Sequence, residues 1–280
     1  RRGLYGVLPR SRGDGVNRAL IVRLIREQRV RLPLEVVLIG LWGFLLVAVF
    51  ATSEVFTKQL EAQADQFGGL LDLVGLDPLA QWASIGFQHP IFLLGGGLFA
   101  VGLSIRAIAG ELEAGSLALA LSRPLARRTW FLSHLVVLIV GCLIIGEAYA
   151  LGCLLAVALT NPMGNLESVS MLLAGLQSAL LLLALGGIGF VISAFSSERG
   201  RALSWSVGVI VVLYAGNFLL PLWGPTKAAA QLSPFAWFNP APLLQRGTVA
   251  WGDVCVLLLY AALPLSVAAW QFARRDLAGG

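Results

Sequence analysis

The sequence predicts an all-α membrane protein with six transmembrane helices. Hydrophobic residues make up 58% of the 280 residues and charged residues only 12%, whereas soluble domains contain about 25% charged residues. A transmembrane helix needs about 20 mostly apolar residues to cross the bilayer core. Six runs meet this requirement: 34–52, 90–109, 130–160, 169–195, 202–219 and 254–272.

These runs and their links use most of the chain, so we expect a single transmembrane domain over residues 1–280. Its parts are a basic N-terminal segment (1–33), a six-helix bundle (34–272) and a short tail (273–280). The third run is long enough to tilt, to extend past the bilayer, or to contain a break near Gly141 or Gly152.

The segment 16–31 before the first run is predicted to be an amphipathic helix. Its apolar side carries Leu20, Ile21, Leu24 and Ile25, and its basic side carries Arg18, Arg26 and Arg29. Such a helix can lie in the headgroup layer with its arginines near anionic membrane lipid. The alternative is a basic flank that only sets the orientation of the chain.

Two of the links differ from short turns. The link 52–89 is acidic, and we expect short helical patches in it, such as 57–67. The link 221–253 contains five prolines among tryptophan and phenylalanine residues. Because tryptophan favours the headgroup boundary, this link is predicted to form one or two short re-entrant or interfacial helices on the outer side.

The basic residues alternate between the two sides of the six spans. Seventeen lie in the N-terminal segment, the links after spans two and four, and the tail, and three lie in the other links. Cytoplasmic loops are enriched in lysine and arginine, so both termini are predicted to be cytoplasmic. The pI of about 9.6 therefore reflects membrane orientation, and we do not expect nucleic-acid binding.

Small residues recur at helical spacing on two of the spans. Gly96, Ala100 and Ser104 are four residues apart on span two, and Gly189 and Ser193 repeat the spacing on span four. Small side chains at this spacing let helix backbones approach closely. We expect tight helix packing at these positions, within the chain or across a dimer.

Catalytic motifs are missing from the sequence. It has two histidines, His89 and His134, and neither an HExxH nor a GxSxG pattern,. Its only lysines, Lys58 and Lys227, are not in a phosphate-binding loop. The cysteines, at 142, 153 and 255, have no metal-ligand spacing. We therefore expect no metal, no bound nucleotide and no catalytic activity in this chain.

Glu147 is the one clear ionisable residue inside a span, and such residues are functional by default. Gln177 on span four and Asn217 on span five are neutral polar companions. These three are candidates for a translocation pathway, and an ion-coupled carrier centred on Glu147 is one alternative function. Glu147 could equally lie near a helix end or form a hydrogen bond between helices.

The most informative segment is the charged link 110–134, between spans two and three. Residues 114–121 are predicted to form a short helix, with Glu111 and Glu113 at its N-terminal end, where the helix dipole favours anions. Pro124 ends the helix. A charged helix on the membrane surface is suited to docking into a groove of a soluble partner.

The link carries a family resemblance. The run 111–117 (ELEAGSL), the sequence Leu-Ser-Arg-Pro at 121–124 and the pair Arg127-Arg128 resemble the signature of ABC-2 type ABC transporter permeases. The similarity is strongest to the permeases of bacterial drug, sodium and copper-site-assembly exporters. The run 272–277 (FARRDL) is similar to the usual C-terminal end of that family.

The resemblance implies the membrane-spanning subunit of an ATP-driven exporter in the bacterial inner membrane. A second copy or a similar permease would complete the pathway, and separate ATPase subunits would bind ATP and Mg. A coupling helix at 113–121 would dock into the ATPase. The implied coupling residues are Glu111, Glu113, Gly115, Ser116, Leu117, Arg123, Pro124, Arg127 and Arg128.

One alternative keeps the same partners. A permease of this kind could be mechanotransducing, using ATP hydrolysis to remodel a periplasmic or outer partner without moving a solute. The acidic link 52–89 and the link 221–253 would be the surfaces for such a partner. Transport by the reconstituted complex distinguishes this function from export.

Overall fold

A computed structural model describes residues 15–53, 77–117, 125–162 and 164–275, and all regular structure in these residues is helical. The helices are α1 (Arg18–Glu27), α2 (Arg31–Thr52), α3 (Pro78–Gln88), α4 (Pro90–Ile105), α5 (Arg127–Thr160), α6 (Ser168–Phe195), α7 (Arg199–Leu219), α8 (Ala241–Arg246) and α9 (Trp251–Arg274). A π-helical turn, Arg106–Gly110, and a short α-turn, Glu111–Glu113, continue α4.

The six predicted spans are confirmed as α2, α4 together with its extension to Glu113, α5, α6, α7 and α9, each long and apolar enough to cross a membrane. Most of these helices extend past the apolar run into charged residues. Arg31, Arg127 and Arg199 begin three of them, and Arg274 ends α9. Long arginine side chains can place their charge in the headgroup layer while the backbone stays helical.

Helix α5 is continuous over 34 residues, about 51 Å at 1.5 Å per residue. A break near Gly141 or Gly152 is therefore wrong. These glycines allow close contacts with other helices instead. A Cβ atom at Gly152 would lie 2.0 Å from the carbonyl oxygen of Gly40 on α2, and one at Gly141 would lie 2.7 Å from the Phe99 ring on α4.

Helix α6 lies at the centre of the bundle and packs against α4, α5 and α9. The small residues of spans two and four meet each other within the chain. A Cβ atom at Gly189 would lie 3.1 Å from that of Ser104, and one at Gly96 would lie 2.9 Å from Leu182. The expected tight packing is thus intramolecular at these positions.

Helix α7 differs from the other spans in its exposure. Only 6% of its most apolar window is buried, compared with 67% for α6. Its N-terminal residues Ala202 and Ser206 are buried, and large side chains such as Trp205, Val212 and Phe218 are exposed. This helix therefore leaves most of its apolar surface available to lipid or to another protein.

Helix α1 is shorter than the predicted 16–31. Asn17 caps its N-terminus by accepting a hydrogen bond from the Leu20 backbone N–H. Leu20 and Leu24 are buried, and the helix packs against α5. Ile25, predicted on the same apolar side, is 52% exposed. One apolar stripe of α1 therefore faces protein, and the remainder faces outward.

The opposite end of the bundle contains α3, which the sequence reasoning did not identify within the link 52–89. Asp77 accepts hydrogen bonds from the Leu79 and Ala80 N–H groups, and Pro78 occupies the first helical position. Both are standard helix-start signals. The predicted patch 57–67 lies outside the described residues.

The link 221–253 contains short helices, as predicted, but more of them than expected. They are the 3-10 helices Leu220–Leu222, Gly224–Leu232 and Pro234–Trp237 and the α-helix α8. Gly247, with φ +64°, ends α8. Five prolines prevent a continuous hydrogen-bond ladder, which explains the fragmentation.

Candidate coupling site at the basic end of the bundle

Five chain segments meet at one end of the bundle, which we call the basic end. They are α1, the Arg106–Glu113 extension of α4, and the terminal turns of α5, α7 and α9. The C-terminus of α6 lies there as well, because it contacts Arg275. The described part of the predicted coupling link therefore lies against elements from the whole length of the chain.

An ion cluster joins α1 to the extension of α4. Glu27 lies 2.8 Å from Arg23 and 3.1 Å from Arg106, and Arg23 lies 3.6 Å from Glu111. Both arginine side chains are about half exposed, so each pair contributes on the order of 0–1 kcal/mol to stability. The cluster therefore sets the position of the link more than it stabilises the fold.

Glu111 is the buried member of this cluster, with 6% of its surface exposed. Its Oε2 accepts a hydrogen bond from the Ser116 hydroxyl. Between them, Gly115 has φ +67°, a conformation that favours glycine. Leu117 follows and is fully buried. The run 111–117 is thus a folded turn whose polar groups bind one another.

The π-helical turn is held by side chains from two other helices. The Ala109 N–H donates to the Ser193 hydroxyl at 2.9 Å, and this hydroxyl donates to the Ile105 carbonyl at 3.0 Å. The indole N–H of Trp130 donates to the Ala107 carbonyl at 2.9 Å. Side chains of α5 and α6 thereby bind backbone groups at the point where the helix changes from the α to the π hydrogen-bond pattern.

Glu113 connects the link to α7. Its Oε2 accepts a hydrogen bond from the Arg199 backbone N–H at 2.5 Å. The N-cap residue of α7, Glu198, makes no side-chain capping bond of its own. A carboxylate at a helix N-terminus is stabilised by the unpaired N–H groups and the helix dipole, so Glu113 acts as a long-range cap for α7.

Arg127 connects the start of α5 to the end of α9. Its Nη1 donates to the carbonyls of Phe272, Ala273 and Arg275, at 3.3, 3.1 and 2.5 Å. Arg275 in turn donates to the Ala194 and Ser196 carbonyls at the end of α6, at 2.7 and 2.8 Å. Partial burial lowers the pKa of Arg275 from its usual value, although an arginine remains cationic in proteins.

The other predicted coupling residues have different positions. Arg128 is exposed and makes no hydrogen bond or ion pair with the described residues. Arg123 and Pro124 lie outside the described part of the chain, as do residues 118–121 of the predicted helix 114–121. Its residues 114 and 115 form a turn and not a helix, with Gly115 at φ +67°. Sequence reasoning missed Arg23, Glu27 and Ser193. The i, i+4 spacing of Arg23 and Glu27 was a visible signal, whereas their contacts with the link depend on tertiary packing.

The three pathway candidates do not form one cluster. Glu147 on α5 packs against Gly175 of α6, where an added Cβ atom would lie 2.9 Å from its carboxylate oxygens. Gln177 is buried on α6, and Asn217 is partly exposed near the end of α7. The described parts of α5 and α7 share no substantial contact. That these residues line a translocation pathway stays a prediction.

The histidines make local backbone contacts. His134 Nδ1 lies 3.0 Å from the Trp130 carbonyl, and His89 caps α4 by accepting from the Ile91 N–H. Within the ranges that the structure describes, no three histidine, cysteine or acidic side chains lie close enough to hold a metal ion.

The fold and the basic end define a multi-pass membrane protein whose charged link is bound to several of its spans. The family model described as ABC-2 family transporter protein matches residues 23–277. The chain belongs to this family, and it is a membrane permease of an ABC system. Members are typically non-catalytic membrane subunits that pair with ABC ATPase subunits. No curated protein shows significant similarity to the sequence.

Proposed function

We propose that this chain is the membrane-spanning subunit of an ATP-driven exporter in the bacterial inner membrane. Two permease subunits, either two copies of this chain or this chain and a similar one, form the translocation pathway. Two ATPase subunits, which bind ATP and Mg, dock at the basic end. The link 110–128 transmits their movement to the spans.

The observation that carries this proposal is the number of helices bound to the link. Glu111 is near Arg23 of α1, Glu113 caps α7, Arg127 binds the end of α9, and Ser193 of α6 binds the π-helical turn. A displacement of the link together with the π-helical turn before it therefore acts on four other helices at once. A loop that only connects two spans would not need these contacts.

The charge distribution supports docking on the cytoplasmic side. The segments with seventeen of the twenty basic residues include every element of the basic end. Lysine and arginine are enriched in cytoplasmic loops, so this end faces the cytoplasm, together with both termini and the ATPase. A second permease copy would cover part of the apolar surface that α7 exposes.

The energetic role of the ATPase follows from differential binding. A ligand shifts a two-state equilibrium only by the difference between its affinities for the two states. ATP-bound and ATP-free ATPase dimers must therefore hold the two docked links in different positions. The contacts of Glu113 and Arg127 convert that difference into different arrangements of α7 and α9.

Membership in the ABC-2 family favours this function over an ion-coupled carrier centred on Glu147. It does not separate export from mechanotransduction, because both use the same permease and ATPase. Export is the proposal because most members of the family are exporters, which is an argument by analogy.

The first test is to isolate the chain from its native membrane in mild detergent and identify associated proteins by mass spectrometry. We expect a soluble protein with a phosphate-binding loop in a 1:1 ratio to the permease. Recovery of the chain alone, or only with itself, in several detergents would contradict the ATPase-coupled function. ATP-dependent export from liposomes containing the recovered complex would then separate export from mechanotransduction.

A further inference from the structure

A groove with a cavity of about 570 Å³ lies between α5 and α9 at the basic end. This volume is within the range of about 300–1,000 Å³ typical of ligand pockets. Its lining is apolar except for Ser266 and for Arg127 and Arg128 at one end. None of the described residues that line it is acidic.

The groove exists because one face of α9 carries small side chains. Ala262, Ser266, Ala269 and Ala273 are spaced by four, three and four residues, which places them on the same side of a helix. Large residues line the other side, among them Phe131 and Leu135 on α5. Small residues opposite large ones leave a channel along the helix pair.

The length of the groove corresponds to one membrane leaflet. It extends from Arg127 to Leu135 on α5 and from Ala262 to Ala273 on α9, or about 12 Å and about 16 Å at 1.5 Å per residue. Half of the hydrocarbon core is about 15 Å. A hydrocarbon chain that enters at the basic end would therefore reach about the middle of the bilayer.

The two arginines at the mouth have different roles. Arg127 is bound to the carbonyls at the end of α9 and lines one side of the mouth. Arg128 is exposed, and no described residue binds it. Arg274, which directly follows the groove residue Ala273, is also exposed and stacks on Trp270 at 4.4 Å. The mouth thus offers cationic groups at headgroup level beside an apolar channel.

We propose that this groove binds an anionic phospholipid of the cytoplasmic leaflet, with its phosphate at Arg128 and an acyl chain between α5 and α9. The combination of a cationic mouth, no acidic lining and a channel of leaflet depth matches both ends of such a lipid. The site joins α5 and α9 where Arg127 already links them, so the lipid reinforces that contact. The choice of leaflet rests on the orientation proposed above, but the proposal does not depend on export or on the ATPase.

Binding is tested on the purified full-length chain, without ATPase or nucleotide, by native mass spectrometry. Phosphatidylglycerol and phosphatidylcholine with identical acyl chains are the probes. We expect phosphatidylglycerol to bind about fivefold more tightly, which is the effect of one arginine next to an anionic lipid. Arg128→Gln should remove this preference. Arg201→Gln, which changes an exposed arginine at the start of α7, should retain it.

The channel is tested separately from the charge. Ser266→Leu should weaken the binding of both lipids, because it places a large side chain in the middle of the groove. The matched control is Ser204→Leu, at an exposed serine of α7 away from the groove, and it should bind as the unmodified chain does. A phosphatidylglycerol with a photoreactive group on its acyl chain should label α5 and α9 in the unmodified protein.

Four results would overturn the proposal. In the binding experiment, these are equal binding of the two lipids and competition by free glycerol phosphate that is as effective as competition by the lipid. In the cross-linking experiments, they are lipid labelling confined to helices other than α5 and α9, and cross-linking of the groove to a second copy of the chain. The labelling experiment needs no substitution, so it stays decisive even if Ser266→Leu does not fold.

Discussion

The guanidinium of Arg127 donates to the backbone carbonyl of Arg275 at 2.5 Å, and the guanidinium of Arg275 donates to the carbonyl of Ala194 at 2.7 Å. Two arginines thus connect the ends of α5, α9 and α6 in series. The last carbonyls of a helix have no partner within the helix, and here these two side chains supply partners for them. The position of Arg127 in the link therefore depends on the position of Arg275 in the tail, and the reverse is also true.

Replacing Arg127 by Gln should lower the stability of the chain. The variant loses charge-assisted hydrogen bonds to the end of α9, each worth about 1.5–3 kcal/mol when buried and less at this partly exposed site. The midpoint of thermal unfolding in detergent measures the loss. Arg26→Gln is the control, since this exposed side chain has no described partner, and it should unfold at the unchanged temperature. Equal midpoints for both variants would show that Arg127 does not hold α9.

Ser193→Ala should destabilise the π-helical turn. It removes the acceptor of the Ala109 N–H in a fully buried site, and an unsatisfied buried donor costs about 1–3 kcal/mol. Hydrogen exchange at 105–110 should become faster, and the unfolding midpoint should fall.

The matched control for that variant is Ser206→Ala. Ser206 is equally buried, but its hydroxyl only donates to Ala202 of its own helix. Removing that bond leaves no backbone donor unsatisfied, so we expect little change. If both serine variants behave alike, the bond between α6 and the turn is not specific.

Gly152→Ala should prevent α2 and α5 from packing at their present distance. The new Cβ atom would lie 2.0 Å from a backbone oxygen of Gly40, and overpacking of this kind costs about 1–3 kcal/mol or more. The amount of folded protein after detergent extraction, measured by size-exclusion chromatography, should fall sharply.

Gly208→Ala is the control for the glycine contact. Nothing lies within 4 Å of the added Cβ atom, and in a helix interior alanine is favoured over glycine by about 1 kcal/mol. This variant should therefore be as stable as the unmodified chain or more stable. Normal yield of Gly152→Ala would mean that α2 and α5 are farther apart than described.

Glu113→Lys should uncouple ATP hydrolysis from transport while the protein remains in the membrane. A cation would replace the carboxylate at the N-terminus of α7, where the helix dipole disfavours positive charge. In a reconstituted permease–ATPase complex, hydrolysis should continue and transport should fall. Glu198→Lys is the control for charge, because it places a cation at the same helix N-terminus but keeps the bond between Glu113 and the Arg199 N–H. It should retain more transport than Glu113→Lys if the lost contact matters. Normal transport by Glu113→Lys would show that this contact does not transmit movement.

Hydropathy alone predicted the six spans. In lipid, a single apolar segment of this kind can pair all its backbone N–H and C=O groups only by forming a helix. The boundaries were less predictable, since Arg127 and Arg274 are helical although they are charged. Helix α3 could have been found from Asp77-Pro78, a start signal that was present in the sequence.

The contacts of the link were beyond sequence reasoning. Glu113 was a candidate coupling residue because it is charged, but its partner is a backbone N–H that lies 86 positions away in the sequence. The carbonyl of Phe272 is 145 residues from Arg127. Backbone groups are the same at every position, so no residue type marks them as partners. Only the packing of α4, α7 and α9 brings them to the link.

The π-helical turn Arg106–Gly110 determines the direction in which the side chains after it point. A π-turn accommodates one residue more than the α-helix around it, and one residue corresponds to a rotation of about 100°. Deleting a single residue here would restore a regular helix and turn Glu111 and Glu113 away from Arg23 and Arg199. The rotation of the whole charged link about the axis of span two therefore depends on one inserted residue in that span.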